Sequence, residues 1–470
     1  MQQLIQKPIV LPYRYDLISN NIYVVTSSFG NWVFFNKEEL DELKSNALSK
    51  ATEKKLIDAG ILLTTSNEKD IIEDYQSMNR NLFLRPSLHM FNVTNMCTYR
   101  CNYCHAGVSQ GKDMMDEKTA LKALRFVFLS SGPYATIEFQ GGECLLNWKV
   151  VKLVIEKSRE LNKTFGKTLN ICIVSNLSLL DQEKLDFLTK YDVSICTSLD
   201  GTEAIHDSNR KTTAGKGTYE TTIGKIKWIQ DYYKKNGINK RVDVLATITK
   251  AALDNPKGIV DMYAGLGLKY VHLRPVQNLG DALRGWSSLA FSAGQFFNFW
   301  KEAMEYIFEL NAKGIDIMER GAYNIACRIL AKSDPLYVEN MNPVGMGRAA
   351  LLHNFDGLIY SSDEGRMLPE PIFAIGTVDQ DPYQVLSNPD NVNGWAASLM
   401  DLSAYYSPYS HWGGIHPVHI YQNQGTVIPK TPLYDPFVIF EKQCRHLFEV
   451  IAKKGKEAEL LKKWTKEAIR

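Results

Sequence analysis

No apolar run in the 470 residues approaches the roughly 18 that a membrane-spanning helix needs. The opening MQQLIQKPIV has no apolar stretch of the secretory kind, which predicts a cytoplasmic protein. An excess of one charge is also missing. Fifty-four Lys and Arg face 52 Asp and Glu, a formal net charge of +2, so the broad basic footprint of a nucleic-acid binder is absent and no nucleic-acid partner is expected. There is no low-complexity tract, and 45% hydrophobic with 23% charged residues excludes wholesale disorder. Cysteine is too sparse for a disulfide framework: eight in the chain, five of them scattered. The other three, Cys97, Cys101 and Cys104, fall within eight positions and mark one site.

What is present is alternation. From about 87 to 275, strand-like runs (87–93, 135–140, 169–175, 192–199, 243–249, 270–275) alternate with amphipathic helical segments. In 117–130, Leu121, Leu124 and Phe128 share one face behind a cap at Asp116; in 148–162, Val150, Leu153, Val154 and Leu161 do the same. Such alternation predicts an α/β fold with a parallel sheet, and six units predict a partial (β/α)6 TIM-like barrel with active residues at the strands' C-terminal ends. Before it, residues 1–85 read as a small α+β unit: a hairpin around Gly30, a capping box at Asn36 and Glu39, a helix at 50–59 ending at Gly60, then a polar connection from Thr64. Residues 86–290 would form the barrel and 291–334 linking helices, the first over 293–312. Residues 335–434 are rich in Gly, Pro, Asn and Tyr and predict a loop-rich unit with short strands such as LIYSS; 435–470 read as helical.

The segment HMFNVTNMCTYRCNYCHAG sets the cysteines at C-x3-C-x2-C spacing directly after the first barrel strand. Three thiolates on one loop suit zinc or an iron–sulfur cluster. Zinc would need a fourth ligand, His105 or a distant cysteine. A [4Fe–4S] cluster on three cysteines leaves one iron bare, open to the amine and carboxylate of S-adenosylmethionine (SAM), whose reductive cleavage yields a 5′-deoxyadenosyl radical. Tyr103 would pack its ring against the adenine.

The motif resembles that of the radical SAM superfamily, and successive strand ends extend the resemblance. FQGGECLLN supplies Gly141, Gly142 and Glu143, the family's contact to the SAM amino group; two glycines allow close backbone approach, though they equally make a plain turn. Ser175 and Asn176 match contacts to the ribose, Ser198 and Asp200 at the end of the fourth strand and Arg274 after the sixth are further cofactor contacts the resemblance implies, and Arg210 matches a contact to the SAM carboxylate. The whole layout is similar to the SPASM-type peptide maturases. More narrowly it resembles the B-type radical SAM maturase of the His-Xaa-Ser system, through LPYRYDLISNNIYVVTSSFGNWVFF, LLHNFDGLIYSSDEGRML and IFAIGTV.

One departure stands out. Val344, Ser362, Gly413, His416 and Phe437 occupy positions that would match cysteines of auxiliary clusters, so the C-terminal unit is expected to be SPASM-like without one. His411, His416 and His419 are either a replacement metal site or ordinary hydrogen-bonded histidines. Asp363 and Glu364 are nominated as catalytic carboxylates, against a salt bridge to Arg366. The resemblance implies one [4Fe–4S] cluster and SAM as cofactors, a ribosomally made precursor peptide as substrate, side-chain cross-linking as outcome, and an electron donor such as flavodoxin or ferredoxin. The N-terminal unit would then be a peptide-recognition element or a structural appendage. Chemistry on a small molecule or RNA base, and a non-catalytic peptide-binding scaffold, are the alternatives.

Overall fold

The computed structural model describes residues 7–79, 85–107, 111, 113–338, 341–368, 370–399, 407–428 and 435–467. Parts of the predicted connection after Thr64 (80–84) and of the final helix (468–470) lie outside them.

Six strands form the parallel sheet that the alternation predicts: β1 (Leu88–Asn92), β2 (Tyr134–Gln140), β3 (Thr168–Val174), β4 (Ser194–Ser198), β5 (Val242–Ile248) and β6 (Leu273–Pro275). Each pairs in parallel with the next, in sequence order. Helices return the chain between them, among them Glu117–Ser130, Trp148–Phe165, Gln182–Lys190, Tyr219–Lys235 and Pro256–Gly265. Capping follows the sequence: the Asp116 carboxylate accepts from the Thr119 amide at 2.7 Å, and Asn36 and Glu39 cap each other reciprocally.

The sheet does not stop at six. Beyond β1 it continues through β7 (Ala350–His353), parallel to β1, then antiparallel β8 (Leu358–Tyr360) and β9 (Ala374–Thr377). Part of the loop-rich segment thus docks onto the barrel sheet, and its side chains reach the barrel's interior. Three other expectations need correction. Residues 270–275 are two strands: Tyr270–Val271 pairs with Met318–Glu319, and only Leu273–Pro275 joins β5. The polar stretch after Thr64 contains a helix, Glu68–Asn79, with Glu68 and Asp70 favourably placed in its first turn. Leu121 is 41% exposed, because Ala120, Ala123, Leu124 and Val127 form the buried face of its helix.

The N-terminal residues build a three-stranded antiparallel meander (Tyr13–Ser19, Ile22–Ser27, Trp32–Phe35) over helices Lys37–Ser45 and Lys50–Asp58. Val25, Phe35, Leu40, Leu56 and Ile61 pack there as a cluster of their own. Helix Ala293–Ala312 packs on Asp435–Lys453, and Arg320–Leu330 on Lys456–Glu467. No helix among the described residues is long and apolar enough to cross a membrane.

Candidate active site

A cavity of about 710 Å³ runs through the barrel, from the cysteine loop at the strands' C-terminal ends to Asp243 and Lys269 at the other end. Cys97, Cys101 and Cys104 all line it. Their loop is held from both sides. The Arg100 and Asn102 amides donate to the carbonyls of Lys211 and Asn209, at 2.7 and 2.9 Å. The Gly142 and Glu143 amides donate to the carbonyls of Thr94 and Met96, both at 2.8 Å.

That second contact explains the paired glycines. A Cβ on Gly141 would lie 2.2 Å from the Thr94 oxygen, and one on Gly142 would lie 2.1 Å from that of Met96. Gly141 also has φ +134°. Both line the cavity, but the close approach that demands glycine is to the cysteine loop's own backbone. Gly280 does the same from the loop after β6: its φ is +58°, and a Cβ there would meet the His105 oxygen at 2.3 Å. Sequence reasoning missed Gly280; a glycine soon after a barrel strand was its one signal.

Burial raises all three thiols, Cys101 to about 11 and Cys104 to about 12. The free loop therefore holds neutral thiols, and ligation must expel their protons. Three soft donors opening on one cavity fit an iron–sulfur cluster.

Most of the other predicted residues meet at this cavity. Tyr103, Ser175, Asn176, Ser198, Arg210 and Arg274 line it, as do Asp363 and Glu364. The Asn176 side-chain Nδ2 donates to Cys97 Sγ at 3.6 Å and to Thr98 Oγ1 at 3.0 Å. Two predicted cofactor contacts stand one layer behind. Glu143 is fully buried and accepts from the Leu145 amide (2.9 Å), Ser175 Oγ (2.8 Å) and the Asn176 amide (2.8 Å). It ties β2 to β3 under the cysteine loop. Asp200, also fully buried, accepts from the Tyr103 hydroxyl at 2.9 Å, and that hydroxyl accepts from Arg210 Nη1 at 2.7 Å. Burial raises the Asp200 carboxyl, against the pull of Arg210 and Tyr103. The Tyr103 ring itself packs against Val276, Ala282 and Leu289.

Asp363 pairs with Arg366 Nε at 2.9 Å and lies 3.4 Å from His105 Nε2. Burial alone would push its carboxyl up, but Arg366 and His105 outweigh it and hold it well below the ordinary range. Such a carboxylate is a poor proton acceptor at neutral pH. Glu364 faces His416 Nε2 at 3.6 Å and is likewise lowered: burial opposes, His416 and His419 prevail. His416 and His419 approach to 5.2 Å between ring centroids, while His411 turns away to the Ser28 carbonyl. At the other positions lacking thiols, Phe437 stacks on Phe440 and Val344 is fully buried among apolar neighbours. A Cβ on Gly413 would strike the Phe440 ring at 2.5 Å.

Residues 91–266 match the sequence profile of the Radical SAM superfamily. That stretch is a radical SAM domain. Proteins of this family use a [4Fe–4S] cluster and SAM. The solved structure of native anSMEcpe with bound AdoMet and the Kp18Cys peptide aligns with TM-score 0.66 at 15% identity, covering 78% of this chain and 98% of that one. SuiB of Streptococcus suis, bound to its precursor peptide SuiA, aligns with TM-score 0.54 at 12% identity, covering 90% and 98%. Both share the fold. Among curated relatives, an uncharacterized protein of Methanocaldococcus jannaschii is 28% identical over 166 residues, 34% of this chain and 56% of that one. The serine-type anaerobic sulfatase-maturating enzyme of Bacteroides thetaiotaomicron is 23% identical over 193 residues, 39% and 44%. In these two matches the chain spans about half the length of the relative.

Proposed function

We propose that this protein is a radical SAM enzyme that modifies a ribosomally made peptide by hydrogen abstraction, with side-chain cross-linking as the outcome. One observation carries the reading. The three thiols of the radical SAM loop open on a barrel-length cavity whose same end is walled by Asn176, Ser198 and Arg210, the residues matched to SAM contacts. Cys97, Cys101 and Cys104 would hold the cluster. Bound there, cluster and SAM supply a reductively generated carbon-centred radical.

The chain's own residues do the rest. Arg210, fixed through Tyr103 and Asp200, offers a guanidinium to the SAM carboxylate. Gly141 and Gly142 bring backbone close to the cluster loop, and Asn176 steadies Cys97. Relatives in fold include structures with peptides bound (anSMEcpe with Kp18Cys, SuiB with SuiA), which supports a peptide as substrate here. The resemblance to the His-Xaa-Ser system maturase supports cross-linking, and a flavodoxin or ferredoxin would supply the electron. In this reading residues 335–434 are a SPASM-like unit, residues 1–85 a peptide-recognition element, and Asp363 a positioning partner of Arg366 and His105.

The test is direct. Anaerobic reconstitution with iron and sulfide, then dithionite and SAM, should release 5′-deoxyadenosine from the wild type and none from Cys101→Ala. Silence from a wild type that had taken up its iron would overturn the reading in favour of a non-catalytic scaffold.

A further inference from the structure

The inward face of β2 carries polar groups that the SAM-contact set does not use. Glu138 and Gln140 alternate with Ile137 and Phe139, which are fully buried on the opposite face. Both polar residues line the cavity, one pleat apart, below the glycine pair. Glu138 is half-buried and faces the cavity, and among the described residues its carboxylate accepts a single hydrogen bond, from Cys172 Sγ at 3.5 Å. A thiol is a weak donor, and a carboxylate has room for about four bonds. Arg274 and Asp363 act on it only at range, in opposite senses. Beside it, the Gln140 side-chain nitrogen Nε2 is buried with no hydrogen-bond partner among the described residues. A carboxylate with open acceptor sites on the cavity wall, beside an unsatisfied amide, is placed to receive a donor that enters the barrel.

We propose that Glu138 is a substrate-contacting, specificity-determining residue, whose carboxylate receives a hydrogen-bond donor of the peptide — a hydroxyl, amide, imidazole or amine side chain — inside the barrel. This rests on the peptide reading above and adds which side chains the cavity selects. Apolar side chains, offering no donor, leave Glu138 underpaired and are disfavoured.

The probes are capped pentapeptides Ac-Ala-Ala-Xaa-Ala-Ala-amide with Xaa Ser, Asn, His, Lys or Leu. Binding is measured by anaerobic calorimetry on reconstituted protein with SAM and no reductant, so that nothing turns over. Wild-type protein should favour the four donor-bearing peptides, and Glu138→Leu should weaken those four by about tenfold while leaving the leucine peptide unchanged. Equal weakening of all five, or of none, overturns the proposal. Should Glu138→Leu fail to melt cooperatively, Glu138→Gln takes its place. It keeps an acceptor without the charge, so its loss should be greatest for the lysine peptide, and an unchanged lysine affinity overturns the proposal. If the wild type binds none of the five, the peptide reading falls and this proposal with it; binding without selective loss removes this proposal alone.

Discussion

Glu143 illustrates how far a single residue can be read from sequence. Its place in FQGGE pointed to a charge near the cofactor, but its three hydrogen bonds make it a buried strut between β2 and β3. Glu143→Ala orphans donors on Leu145, Ser175 and Asn176, and should lower the unfolding free energy by about 3 kcal/mol, read from urea melts. Cys101→Ala and Cys104→Ala remove one thiol each. Both should reconstitute with far less iron than wild type by elemental analysis, while their far-ultraviolet circular dichroism stays native. Asp363 and Glu364 show the opposite limit. Their adjacency to the site and the salt bridge of Asp363 to Arg366 were legible in SSDEGRM, but the approach of His105 to Asp363 and of His416 to Glu364 was not. Glu138 was overlooked, though it alternates with apolar neighbours in ATIEFQ. An acidic residue on the inward face of a barrel strand is the signal that would have found it.

Between elements, the critical contact is the seam where the end of β2 passes under the cysteine loop. Gly142→Ala places a methyl 2.1 Å from the Met96 oxygen, backbone against backbone, with no flexible side chain to yield. We expect a loss of about 2–3 kcal/mol together with poor iron uptake, because the displaced segment is the one that carries the three thiols proposed to hold the cluster. Gly132→Ala is the control: among the described residues, no heavy atom lies within 4 Å of its added Cβ. Its melting should shift by no more than about 0.5 kcal/mol. Helix positions and caps were readable because 3.6-residue periodicity and capping are local. The face of Glu117–Ser130 was misread because small alanines, rather than Leu121, sit against the sheet. The continuation of the sheet through β7 was not readable at all. ALLH is four residues long and buried throughout, so it shows no alternation, and its partner β1 lies some 260 residues earlier in the chain.

Across the whole molecule, buried histidines set the response to acid. His89 stacks on His353 beneath the sheet, and His206 links the Asp200 amide to Thr218. Burial holds both His89 and His206 down to about 3, against about 6.5 when unfolded. Below pH 6.5 the unfolded chain takes up protons that the native one refuses. The stability these residues allow is complete above pH 6.5 and is lost as pH falls toward 3. Glu138 acts in reverse: burial raises it to about 7, so its contribution is complete below about 4.5 and is lost as pH rises through 7. Burial also lowers His272, His353, His411 and His419, while it raises the carboxyls of Glu143, Asp200 and Glu319 besides Glu138. The histidines prevail, and the unfolding free energy from urea melts should fall between pH 7 and pH 5, by about 1–2 kcal/mol per histidine before that offset. His89→Leu should flatten the acid limb of this profile, and an unchanged profile would refute the assignment. By itself, the sequence determined the six-strand alternation, the helix caps and the three-thiol loop, because these depend on period, spacing and donor chemistry within a few residues. Only the tertiary structure decided which polar groups face the cavity and which lie behind it, how the late strands join the sheet, and where Glu138 is left short of partners. Those outcomes turn on burial and on pairings across hundreds of residues, and short-range pattern carries no information about either.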